Sequence, residues 1–142
     1  MIFKEEKPTT AQYNYLTEKV GWGVTDEKLV KTALDNTLYS VCAFDDDEKI
    51  VGHARLIGDG ALFLYIQDVM VAPEFQGRGV GSRLMKHVLK EVERFKAASP
   101  EIRVYLGASK GKEDFYRKFG FVSRREADLG DGMILSFNTL NN

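Results

Sequence analysis

The segment from Val69 to Ser82 places an apolar strand end, a loop with glycines at 77, 79 and 81, and the start of an amphipathic helix in direct succession. That order dictates a strand-to-helix turn in which the backbone itself comes close to a ligand, because glycine puts no Cβ in the way. The helix behind the loop opens with unpaired N–H groups at the positive end of its dipole. Together they form a site for an anion of pyrophosphate size, without a dedicated cluster of side chains. Pro73, which can neither donate to a ladder nor continue a central strand, sets the strand's end.

The periodicity on either side of this loop predicts the rest of the fold. Downstream, Leu84, Met85, Val88, Leu89, Val92 and Phe95 fall on one helical face, while Arg83, Lys86, Lys90, Glu91, Glu93 and Arg94 fall mostly elsewhere. Ser99-Pro100 ends that helix, and Ile102–Leu106 reads as a parallel strand buried on both faces, with the helix as its crossover. Upstream, Ile2–Glu5 reads as a first strand and Pro8-Thr9-Thr10 as the start of a helix carrying Tyr13, Leu16 and Val20. Gly21-Trp22-Gly23 interrupts it, and Thr25-Asp26-Glu27-Lys28 opens a second helix. Tyr39–Phe44 and Ile50–Ile57 form a hairpin around the acidic tip Asp45–Lys49, and Leu62–Val71 is a longer strand after the turn Gly58-Asp59-Gly60. Near the C-terminus, Glu113–Lys118 is a short helix closed by Gly120, and Phe121-Val122 and Met133–Phe137 read as two last strands. The sum is a single α+β domain over residues 1–142. Its mixed, mostly antiparallel sheet has six to seven strands, a central βαβ crossover and helices on both faces.

Composition narrows the function classes. A net charge of −1, with 44% hydrophobic and 29% charged residues, is an ordinary globular balance and lacks the basic excess of an electrostatic nucleic-acid binder. The single cysteine, Cys42, rules out an internal disulfide and leaves no Cys/His set for zinc, so no metal is expected. Neither a signal-peptide core nor an apolar run of about 18 residues is present, which gives the expectation of a cytoplasmic protein away from membranes.

Two familiar glycine loops do not fit. A Walker loop needs Lys and then Ser or Thr after its second glycine, and the dinucleotide fingerprint needs a glycine where Ser82 stands. Gln76-x-x-Gly79-x-Gly81, preceded by Val69-x-Val71-x-Pro73, instead resembles the acyl-CoA signature of the GNAT superfamily of N-acetyltransferases. Phe115-Tyr116-Arg117-Lys118-Phe119-Gly120-Phe121 resembles that family's second motif, and the two stand in the family's order over roughly the second half of the chain. Gly58-Asp59-Gly60-Ala61 and Asp68-Val69 are more weakly similar to small bacterial members and to arylalkylamine-type acetyltransferases.

The resemblance implies a GNAT-like fold and acetyl-CoA as co-substrate. Backbone groups of Gln76, Gly77, Arg78, Gly79, Val80 and Gly81 would bind its pyrophosphate, with Ser82 adding a hydroxyl. The strand end Val69, Met70 and Val71 would pair with the pantetheine arm as with a further strand. Family members commonly place a tyrosine near the acyl-CoA sulfur, which makes Tyr116 the candidate acid for the departing thiolate. Where many members have Asn, this chain has Ser109 or Lys110 as the candidate polar contact, and Lys110 and Lys112 are candidates for the CoA 3′-phosphate.

For the base, Asp68 stands out as an acid inside an apolar strand, with a partner at a neighbouring loop or helix end as the competing account. His53 reads as a satisfied sheet histidine and His87 as solvent-facing. Trp22 on its glycine mount, with Tyr65 and Gln67 on alternate strand positions, are the candidate acceptor-site residues. The expected reaction is direct acetyl transfer to a small primary amine in a ternary complex. A protein or peptide amine as acceptor, and a CoA-binding module without turnover, are the alternatives. Met133–Phe137 is also a candidate for pairing across subunits in a homodimer.

Overall fold

Each helix of the N-terminal half begins where a side chain takes over the open backbone donors. Thr9 caps α1 (Thr10–Lys19) in a reciprocal capping box with Gln12, and Asp26 caps α2 (Glu27–Asp35) by accepting from the N–H groups of Lys28 and Leu29. The computed structural model describes residues 1–137, and the chain divides into two compact units, Met1–Leu106 and a second beginning at Gly107. In the first, β1 (Ile2–Lys4) precedes these helices. β2 (Tyr39–Phe44), β3 (Ile50–Gly58), β4 (Phe63–Val71), α3 (Val80–Ala98) and β5 (Arg103–Leu106) follow them.

The five strands lie in chain order in one sheet, antiparallel throughout except for the parallel pair β4–β5 that α3 connects. The helices cover both faces. Leu16 of α1 packs with Cys42, Phe44, Ile50, Met70 and Ala72 on one face. On the other, α3 comes so near the sheet that a Cβ on Gly52 would lie 3.1 Å from Leu84 Cδ1. Leu84, Met85, Val88 and Val92 are the buried face of α3, as their spacing predicts.

In the second unit, α4 (Glu113–Arg117) is followed by turns tied by Arg117 to Glu126 at 2.6 Å and by Arg125 to Asp131. Neither Phe121-Val122 nor Met133–Phe137 is a strand, so the described sheet has five strands rather than six to seven. Met133 and Ile134 are 91% and 90% exposed. Apolar, β-prone residues become a strand only where a ladder and a face to bury exist together, and Met133 and Ile134 bury no such face here. β5 is likewise only half-buried rather than enclosed on both faces, because it is the outer strand of the described sheet.

Candidate active site

β4 is paired on its two sides over different lengths. Toward β3 the register runs from Gly58↔Leu64 to Gly52↔Val71, whereas toward β5 it stops at Ile66↔Leu106. Residues 67–71 therefore have no strand partner on the β5 side among the described residues, and this unpaired edge is the β4 slot. The slot begins at a bulge. His53 pairs with Met70 and Arg55 with Gln67, so Ala54 alone faces both Asp68 and Val69, and Asp68 adopts a left-handed conformation with φ 56°.

Past Val71 a short 3₁₀ turn, Pro73–Phe75, leads into the loop. Gln76 ties this loop to the strand: its side-chain Nε2 donates to the Val71 carbonyl at 3.0 Å, and its own N–H goes back to Pro73 O at 3.3 Å. Of the predicted pyrophosphate donors, Gln76 is thus already engaged. Gly77 and Gly79 both sit in the left-handed region, at φ 77° and 82°, a conformation any side chain would strain. The first helical bond of α3 is Arg83 N–H to Gly79 O. The N–H groups of Gly77, Arg78, Gly79, Val80, Gly81 and Ser82 have no backbone acceptor among the described residues. Six open donors at a helix start are a geometry suited to an anion. The Arg78 guanidinium lies over the Phe75 ring, 5.2 Å from its centroid.

Beneath the bulge lies a buried polar network. Asp68 Oδ2 accepts from Arg55 Nε at 2.6 Å and from the Tyr13 hydroxyl at 2.9 Å, and the two charged side chains are only 12% and 11% exposed. Arg55 Nη1 continues to Thr37 Oγ1 at 2.9 Å and Ala33 O at 3.4 Å, at the end of α2. Burial, reinforced by the Asp68 charge, pushes the Tyr13 phenol up to about 12. His53 stacks edge-on against Tyr13 and is fully buried, with neither ring nitrogen hydrogen-bonded. It is therefore not the satisfied histidine expected, and burial holds it neutral, with its pKa lowered to about 4.

The fold has counterparts in known proteins. The family model described as an acetyltransferase (GNAT) domain matches residues 9–135. The chain belongs to the GNAT family of acetyltransferases. An N-acetyltransferase of the ycf52-like type from Prochlorococcus marinus is 38% identical over 110 residues, which are 75% of this chain and 59% of that protein. The chloroplastic GCN5-related N-acetyltransferase 2 of Arabidopsis thaliana is 29% identical over 134 residues, 81% of this chain and 50% of that one. The chain thus spans about half to three-fifths of these curated relatives. Among solved structures, a GNAT family acetyltransferase from Streptococcus pneumoniae superposes with TM-score 0.79 at 30% identity, covering 96% of this chain and 98% of that one. A GNAT family N-acetyltransferase of Escherichia coli, solved in complex with CoA, shares the fold at TM-score 0.69 and 19% identity, over 91% of this chain and 72% of that one.

Seen as a GNAT chain, the remaining predicted residues divide by location. Tyr65 registers with Ile57 and with Tyr105, and Gln67 with Arg55, so both stand on β4 beside the bulge. Trp22 is 53% exposed in the α1–α2 loop, its N–H bonded to Thr17 O. It is no buried plug. That loop is instead fixed by Asn14, whose amide bonds both the N–H and the carbonyl of Thr25. Ser109 and Tyr116 belong to the second unit. Ser109 is exposed and its carbonyl starts the turn into α4 by accepting from Lys112 N–H. Tyr116 packs between Phe115 and Phe121, with ring centroids 5.0 and 6.3 Å away, and its burial raises the phenol's pKa. Cys42 is buried, its thiol pushed up to about 12, which leaves it unreactive. His87 is not simply solvent-facing: it stacks on Phe3 and meets Glu5 at 3.3 Å, beside a cavity of about 520 Å³ on the β1 side of α3.

Sequence reasoning missed Tyr13, Arg55 and Thr37. An arginine inside a strand whose flanking residues are buried was the one signal that called for a buried acidic partner.

Proposed function

We propose that this GNAT chain transfers the acetyl group of acetyl-CoA directly to a small primary amine. The observation that carries the reading is the continuity of the β4 slot with six open N–H donors, which suits a substrate with an extended amide arm and a pyrophosphate. The amine lone pair attacks the thioester carbonyl carbon, forming the C–N bond and an oxyanion. The C–S bond then breaks and its electron pair leaves on the CoA sulfur. Tyr116, kept protonated by burial, is the group proposed to return a proton to that thiolate. Asp68, at the bulge, is the group proposed to receive the amine proton, through its Oδ1, the oxygen engaged by neither Arg55 nor Tyr13. Trp22, Tyr65 and Gln67 are the proposed acceptor contacts, with the half-exposed Trp22 ring offering a face to the amine's apolar body.

The test is thiol release with acetyl-CoA across arylalkylamines, polyamines and peptides, alongside calorimetric binding of CoA. Turnover is expected with small amines, and Tyr116→Phe is expected to lower kcat by about 10²-fold, the usual size of a general-acid contribution. CoA binding without thiol release from any amine would replace this reading with that of a binding module. Release only with peptides would move the acceptor class.

A further inference from the structure

We propose that Arg55 and Tyr13 are positioning residues for acetyl transfer, gripping the Asp68 carboxylate from β3 and α1 so that the left-handed bulge at the mouth of the β4 slot keeps one shape. The inference rests on the acetyl-transfer reading and extends it to side chains that act through Asp68.

Three observations converge. A left-handed aspartate in mid-strand is a sparsely populated backbone state that persists only where its surroundings over-determine it. The surroundings here do so: one oxygen takes two donors from two elements, at 2.6 and 2.9 Å. Arg55 is itself fixed by Thr37 Oγ1 and Ala33 O, so the end of α2 is coupled to the bulge through one planar guanidinium. The bulge also ends the regular ladder next to the slot, so a shift of its backbone changes where Val69 and Met70 present their N–H and C=O groups. The effect falls on alignment of the acyl end, whereas the pyrophosphate cradle lies beyond Val71 and is built from other residues. The predicted signature is therefore a loss in kcat with little change in CoA affinity.

The experiment compares wild type with Tyr13→Phe, Arg55→Lys and the charge-neutral pair Arg55→Gln/Asp68→Asn, which stays foldable because no lone buried charge remains. Backbone amide chemical shifts of residues 67–70, CoA affinity by calorimetry, and kcat and KM for acetyl-CoA are measured on each. Displaced shifts confined to the bulge and CoA affinity within about threefold of wild type are expected for Tyr13→Phe and for the pair, and a kcat reduced about tenfold or more for Tyr13→Phe, which leaves Asp68 in place. Arg55→Lys keeps the charge but not the fork, and is expected between Tyr13→Phe and wild type. Unmoved bulge shifts in Tyr13→Phe and the pair, or an unchanged kcat in Tyr13→Phe, would overturn the inference. Absence of turnover in wild type would instead sink the acetyl-transfer reading itself.

Discussion

The two ends of the β4 slot handle charge in opposite ways. At Asp68 the work is done by side chains: a carboxylate, a guanidinium and two hydroxyls brought together from α1, β3, β4 and the segment after α2. At residues 77–82 the proposed anion contact is made of backbone N–H groups, with glycines at 77 and 79 permitting the turn. Buried side-chain charge is highly sensitive to losing one partner, because the other is left desolvated and alone. A backbone cradle is insensitive to side-chain identity except where φ is positive. The difference says where mutation should hurt stability and where it should hurt binding.

The largest effect is expected on the side-chain end. Asp68→Ala strands the Arg55 guanidinium and the Tyr13 hydroxyl in the interior and removes the residue type that tolerates left-handed backbone, so a loss of about 3–5 kcal/mol is expected. Asp68→Asn keeps an acceptor and the tolerance for φ 56°, and should lose less. Urea unfolding measures both. A shift below about 1 kcal/mol for Asp68→Ala would place this pair with exposed salt bridges and erase the contrast.

The next effect belongs to the same end and is read by pH. His53 has a folded pKa of about 4 against an ordinary 6.5, so between those values the unfolded chain binds the proton and the folded one does not. Stability therefore falls as pH drops from about 6.5 toward 4, and this contribution is constant above and below that window. The full shift corresponds to about 3 kcal/mol. Asp59 and Glu74, whose pKa values are lowered by backbone donors and by Lys19 respectively, also lose stability on acidification, at still lower pH. The measurement is thus the difference between wild type and His53→Leu across pH 4–7. A constant difference would mean that His53 takes up its proton in the fold at the same pH as in the unfolded chain.

The same contrast explains what was legible in the sequence. The cradle is local: Gln76, Gly77, Gly79 and Gly81 lie within six residues, and the strand before them and the helix after them follow from periodicity. The Asp68 network joins residues 13, 37, 55 and 68, and no spacing rule connects an arginine in one strand to a tyrosine in a helix three elements earlier. The bulge was hidden for a related reason. Register is a property of two strands together, so the extra residue at Asp68–Val69 shows only once β3 is laid beside it. The sequence also over-read Met133–Phe137, where apolar residues carry strand propensity but Met133 and Ile134 stay exposed and no strand forms.

The smallest and most discriminating test stays inside the cradle, by comparing Gly79→Ala with Arg78→Ala. Nothing lies within 4 Å of a Cβ built on Gly79, so alanine there meets no clash and pays only for its left-handed backbone, about 1–2 kcal/mol. If the loop relaxes to relieve that strain, the open N–H groups turn away and CoA affinity should fall about tenfold, the equivalent of roughly 1.4 kcal/mol. Arg78 is the loop's obvious cation, yet its guanidinium rests over Phe75, so Arg78→Ala should weaken CoA by less than about threefold, within the range of an exposed cation–π contact. Calorimetry with CoA reads both. An order reversed, with arginine mattering more than glycine, would make this end a side-chain clamp like the other, and the division of labour along β4 would not exist.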